Sequence, residues 1–168
     1  MDSIKSKFHN IELIEYGVVE PNNGRMLYEV DLKINGELVT ERYFDKNWRH
    51  IHLYSKYEPD SPDGRFFFVP KEGGGFVLDT LNNLAVIGLP YKALSAATYI
   101  GNAYFNERLF LVYRDEVVVF SLLTQQATVY DFPHRNVKWV NPIDAQQFEV
   151  RYMESGSREE KSLTIAFE

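Results

Sequence analysis

Between Arg65 and Pro133 the chain repeats itself, and that repetition constrains its fold more than any other feature. Arg65-Phe66-Phe67-Phe68-Val69 aligns with Arg108-Leu109-Phe110-Leu111-Val112 at an offset of 43 residues. The same offset carries Phe76-Val77 onto Val119-Phe120, Asn82-Asn83 onto Gln125-Gln126, Val86 onto Val129 and Pro90 onto Pro133. Each copy is an apolar run, a turn, a second apolar run, a polar pair and a third run. That order predicts a three-stranded antiparallel meander, because short β-rich runs separated by turn residues pair with their neighbours. Phe66 to Val69, Leu109 to Tyr113 and Val117 to Phe120 are apolar at every position. A strand with one wet face alternates instead, so these strands require cover on both faces.

Ser61-Pro62-Asp63-Gly64 leading into Arg65 to Val69, followed by Phe76-Val77-Leu78-Asp79 and Leu84-Ala85-Val86-Ile87, resembles a β-propeller blade. In that family a turn, an inner strand and two outer strands follow one another. A weaker third copy covers Phe148 to Phe167. The resemblance implies blade-like sheets that stack. A closed propeller takes at least about four blades of roughly forty residues, whereas 168 residues supply three copies and a different beginning. Blade packing is therefore implied without ring closure, and no functional residue is transferred.

The beginning reads differently. Residues 1–9 suit a short polar helix or a frayed end. Ile11 to Glu20 is strand-like, and its apolar positions change face between Leu13 and Ile14, which predicts a bulge or a bend. Met26 to Ile34 alternates, with Met26, Tyr28, Val30, Leu32 and Ile34 on one face. Asn35-Gly36 is a hairpin turn, and Leu38 to Phe44 is expected to return as a strand. Tyr91 to Ala97 suits a single helical turn and Thr98 to Phe105 an added edge strand. Asn136 to Val140, Gln147 to Met153 and Ser162 to Phe167 complete a last meander, with Glu154 to Glu160 as an exposed loop. The expected architecture is all-β, antiparallel meanders in one domain spanning 1–168. Residues 1–46 form an N-terminal hairpin sheet and residues 47–168 the blade-like repeats that follow it.

Composition narrows function by exclusion. With no cysteine there are no disulfides or thiolate metal sites. No apolar run is long enough to cross a membrane as a helix, and Met1 to Lys7 lacks the apolar core of a signal peptide. A soluble cytoplasmic protein is expected. A net charge of −6 disfavours nucleic acid, whose phosphates call for clustered lysine and arginine, and suits a basic protein partner. Acids gather in two expected loops, Glu58, Asp60 and Asp63 in one and Glu154, Glu159 and Glu160 in the other. Trp48 and Tyr54 offer an aromatic face beside the first.

His50 and His52 stand two apart on a strand-like stretch, so their rings point the same way and suit one metal. A third ligand would come from Glu58, Asp60 or Asp63. Gly73-Gly74-Gly75 runs on into strand rather than a helix N-terminus, which favours a hairpin over a phosphate cradle. Ser155 and Ser157 sit in a charged hairpin with no histidine placed by sequence as a base. No cofactor is indicated. The expectation is a non-catalytic protein-binding module, such as an immunity or inhibitor protein that neutralises a basic toxin. The alternative is a small-ligand or metal-dependent hydrolytic protein using the His50/His52 region. An open terminal strand, Leu163 to Phe167, calls for a second copy of the chain, giving a homodimer.

Overall fold

A computed structural model describes residues 2–24, 26–44, 56–70, 75–89 and 98–168. Trp48, His50, His52, Tyr54, Gly73, Gly74 and Tyr91 to Ala97 lie outside the described residues. The fold is all-β. Among the described residues the strands form four antiparallel sheets, none closed on itself, each built from consecutive strands. Two compact units result: the first holds the two sheets formed by residues 2–89, and the second holds the two formed by 98–168, together with residues 56–58. The first repeat shares a unit with the N-terminal sheet, and the second repeat lies in the other unit.

In the first unit, β1 (Asp2–Lys5), β2 (Ile11–Val19), β3 (Met26–Ile34) and β4 (Glu37–Leu38) form one sheet in that order. Residues 2–5 are thus a strand, not the helix or frayed end their polarity suggests. Asp2 to Lys5 pairs with Glu15 to Glu12, and polar cross-strand contacts replace apolar ones: Ser3 bonds Glu12, and Lys5 reaches the same carboxylate at 3.8 Å. The expected bulge in β2 is absent, since Ile11 to Val19 pairs without a break with Ile34 to Met26. Ile11, Leu13 and Glu15 are buried on one face while Ile14 is half-buried on the other, so partial cover on both sides accounts for the apparent change of face.

Asn35 and Gly36 make the two-residue turn with φ of 53° and 79°, closing Ile34 against Glu37. The expected return strand stops after Leu38, and α1 (Thr40–Tyr43) is one helical turn. The buried Thr40 hydroxyl accepts a hydrogen bond from the Leu32 amide at 3.0 Å and donates to Asp31 Oδ1 at 3.1 Å. A side chain thereby satisfies a backbone group that a longer β4 would have paired. Tyr43 and Phe44 then set their rings 6.0 and 5.6 Å from that of Phe76. Phe76 belongs to the unit's second sheet, β5 (Phe66–Val69), β6 (Phe76–Asp79) and β7 (Ala85–Gly88).

The second unit opens with β8 (Tyr99–Phe105), β9 (Arg108–Tyr113), β10 (Glu116–Ser121) and β11 (Ala127–Asp131), in which β8 is the added edge strand. Its other sheet is β12 (Arg135–Pro142), β13 (Gln147–Glu154) and β14 (Glu160–Ala166). Phe110, Val112, Val117 and Val119 meet Val137, Val140, Phe148 and Val150 in one core. Phe148 stacks on Phe167 and meets Phe110 and Tyr130 edge-on, with centroids 5.1 to 5.3 Å apart. Leu109, Leu111, Tyr113, Val118 and Phe120, on the opposite face of β9 and β10, are buried too. The two-sided cover that unbroken apolar runs demand is present.

The repeat does not keep a constant offset. Phe67 faces Leu78 and Phe110 faces Val119, so laying Phe67 on Phe110 makes Val119 the counterpart of Leu78, an offset of 41. The second hairpin is the tighter one. A change of two residues preserves which side chains share a face, which is why the apolar pattern survives it.

Candidate functional site

The six acids predicted to meet a partner occupy three different settings. Asp60 lies in the first unit on a stretch that runs beside β5, where Phe68 donates its amide to the Pro59 carbonyl at 2.8 Å. Its carboxylate is turned toward the loop between β1 and β2. The Ser6 hydroxyl donates to Oδ1 at 2.5 Å and the Lys7 amide to Oδ2 at 2.8 Å, while Ser6 Oγ accepts from the Phe8 and His9 amides. His9 Nε2 lies 2.8 Å from the Gly64 carbonyl. Gly64, with φ of 74°, has the Phe8 ring 2.5 Å from where a Cβ would stand. Only glycine suits both the conformation and the space.

Asp63 is absorbed by its own turn. Its Oδ1 accepts from the Ser61 hydroxyl at 2.7 Å and from the Arg65 amide at 3.0 Å. Those bonds, led by the one from Ser61, hold its carboxyl below the ordinary carboxylate value. Arg65 spans to Asp79 through Nε and Nη2 at 3.1 and 3.0 Å, a fork that lowers the Asp79 pKa. Asp60 and Asp63 therefore fasten the 59–65 loop to its surroundings.

Glu58 belongs to the second unit and is held differently. The Asn102 side chain, buried inside β8, accepts from the Glu58 amide at 3.0 Å and donates to its carbonyl at 2.8 Å. Lys56 bridges Gly101, where a Cβ would collide with the Lys56 carbonyl oxygen, and its ammonium stands 4.4 Å above the Trp139 ring. The backbone of Glu58 is thus pinned while its side chain is exposed, and its carboxylate has no partner among the described residues.

The 154–160 hairpin forms as expected, with the strands on either side paired from Met153 against Glu160. Two of its three acids have cations beside them: Arg135 Nε is 3.6 Å from Glu154, and Arg151 Nη1 is 3.9 Å from Glu160. Glu159 is exposed, its amide donates to Ser157 Oγ at 3.1 Å, and its carboxylate has no partner among the described residues. Beside this loop the structure brings together residues the sequence left scattered. His134, Arg135, Asn136, Met153, Glu154, Ser155 and Ser157 line an open cleft of about 290 Å³. Pairing of Arg135 with Glu154 and the bond from the Ser155 amide to the His134 carbonyl create it. Register was the missing signal. No hydrogen bond joins the His134 ring to either serine, so the cleft contains no activated nucleophile of the hydroxyl–imidazole type among its described contacts.

Among the described residues no group of three or more histidine or acidic side chains is placed to hold a metal. Nor is any helix among them long and apolar enough to cross a membrane. No protein-family model matches the chain, and no curated protein matches its sequence.

Proposed function

We propose that this chain is a non-catalytic protein-binding module for a basic protein, acting in the cytoplasm as an inhibitor, in the way an immunity protein neutralises a toxin. In this reading blade-like sheets form a rigid support, and acidic residues at their margins steer the partner into place. The observation that carries it is the state of Glu58 and Glu159. Each has a backbone fixed by a side chain, Asn102 for one and Ser157 for the other, and an exposed carboxylate without a partner among the described residues. Preorganised charges of this kind raise encounter rates more than they deepen affinity. Immunity function enters by analogy with small acidic inhibitors.

The test uses the product of the neighbouring reading frame, where a toxin usually lies beside its immunity protein. Its association with this chain should slow steeply as salt rises. Glu58→Lys and Glu159→Lys should slow association at low salt. Asp60→Asn and Asp63→Asn should lower stability and leave the association rate of the folded protein unchanged. Salt-independent association, or equal effects from all four substitutions, would overturn the electrostatic reading.

A further inference from the structure

The end of the β12–β13 ladder builds the cleft of about 290 Å³, and strand register decides which of its side chains are already matched. Arg135 stands opposite Glu154 and Asn136 opposite Met153, so alternation sends the first pair to one face of the sheet and the second to the other. Arg135 and Glu154 are matched with each other. Their ion pair spans 3.6 Å, and the guanidinium lies 4.8 Å from the ring of Tyr152, which shares their face. These two are the only charged residues in the lining, so the cleft presents no unmatched charge by which to select an ion.

What remains is hydrogen-bonding capacity beside an apolar side chain. The Asn136 carboxamide, the Ser155 hydroxyl and the His134 ring make no hydrogen bond among the described residues. Ser157 Oγ accepts from the Glu159 amide at 3.1 Å and keeps its own proton to donate. His134 has φ of 62°, in the left-handed region where glycine fits more readily, and what histidine adds there is its ring. Met153, half-buried, supplies C–H and sulfur surface. The face of Asn136 and Met153 continues to Arg151, about 7 Å along the strand from Met153. Arg151 makes no hydrogen bond among the described residues: Glu160 Oε2 stands 3.9 Å from Nη1, and Nε is buried without an acceptor. A buried donor left in this state calls for an oxygen from outside the chain.

We propose that this cleft binds a neutral sugar. Sugar hydroxyls both donate and accept, which matches a carboxamide and two hydroxyls better than an ion does, and the C–H face of the ring suits the methionine. A volume of about 290 Å³ is at the small end for ligand sites, so the cleft takes one sugar ring and leaves further oxygens to reach toward Arg151. The site is independent of the basic-partner reading, because neither Glu58 nor Glu159 lines it.

The probes are glucose, galactose, mannose and N-acetylglucosamine, each titrated into the isotopically labelled full chain, with sodium acetate and sodium phosphate as ionic comparisons. At least one sugar should shift the backbone amides of 134–136 and 153–157 saturably, with a Kd of about 1 mM, and neither salt should do so. Asn136→Ala with Ser155→Ala should weaken that sugar at least about tenfold and leave the melting temperature unchanged, since neither side chain makes a hydrogen bond among the described residues. Arg151→Gln should weaken it about threefold and carries the test if the double variant melts early. Unchanged affinity in the double variant, or in Arg151→Gln where it carries the test, would overturn the proposal. So would the absence of saturation by all four sugars, or shifts confined to other surfaces, and either result leaves the basic-partner reading standing. Saturation of the same amides by acetate or phosphate would reassign the cleft to an anion and overturn the sugar site.

Discussion

Asp79 is almost wholly buried yet ionised, because Arg65 grips both of its carboxylate oxygens and the Leu81 amide adds a third bond at 3.2 Å. Asp63, held by Ser61 and the Arg65 amide, is depressed in the same direction. A carboxylate whose pKa is lower folded than unfolded adds stability at pH values above its unfolded pKa. That contribution disappears as pH falls through the folded value. The melting temperature should therefore drop as acid is added below about pH 4, where free aspartate protonates. Asp79→Asn and Asp63→Asn should each be less stable at neutral pH and show a shallower fall below pH 4. Thermal melts of the three proteins between pH 2 and 7 check this, and parallel curves would mean that neither carboxylate is linked to folding. Asp63 lies in the acid-rich stretch Glu58 to Asp63 that its composition marks as an outward patch. Composition registers charge, whereas a nearby hydroxyl or guanidinium decides which way a carboxylate turns.

At the scale of strands, burial separates residues with the same apolar character. Phe67 in β5 and Leu111 in β9 are completely buried, while Val86 in β7 is 54% exposed. Phe67→Asp or Leu111→Asp places an unpaired charge in a dry layer, at a cost of about 4 kcal/mol or more, and should unfold the protein. Val86→Asp should change stability by no more than about 0.5 kcal/mol. Chemical denaturation of the three variants measures the contrast, and wild-type-like unfolding of Phe67→Asp would remove the two-faced core. These inner strands were legible because unbroken apolar runs have one stable solution. So were the Asn35-Gly36 turn, the edge strand β8 and the last meander, all marked by turn residues or alternation. β1 was not, since three polar residues around a single isoleucine carry no period, and α1 was not, since Thr40 replaces a ladder bond with its hydroxyl. The cleft beside His134 depends on strand register, which is not written in local pattern.

For the molecule as a whole, an open sheet leaves an edge that another chain can use. β14 is such an edge, and all its residues except the half-buried Ile165 are exposed. Two copies related by a two-fold axis through Leu163 would set Leu163 beside its own counterpart and Ser162 opposite Thr164, an apolar pair flanked by hydroxyl pairs. Lys161 would then face Ile165, so the ends of the ladder gain little. We therefore expect a weak homodimer through β14. Sedimentation equilibrium should show a concentration-dependent mass, and Leu163→Lys, which brings two ammonium groups together on the axis, should return the chain to monomer without lowering its melting temperature. Thr164→Pro should have the same effect on mass if the Thr164 amide faces the second copy, because it deletes that donor. A wild-type mass that stays monomeric across the concentration range would show that Glu160 and Lys161 are enough to guard the edge.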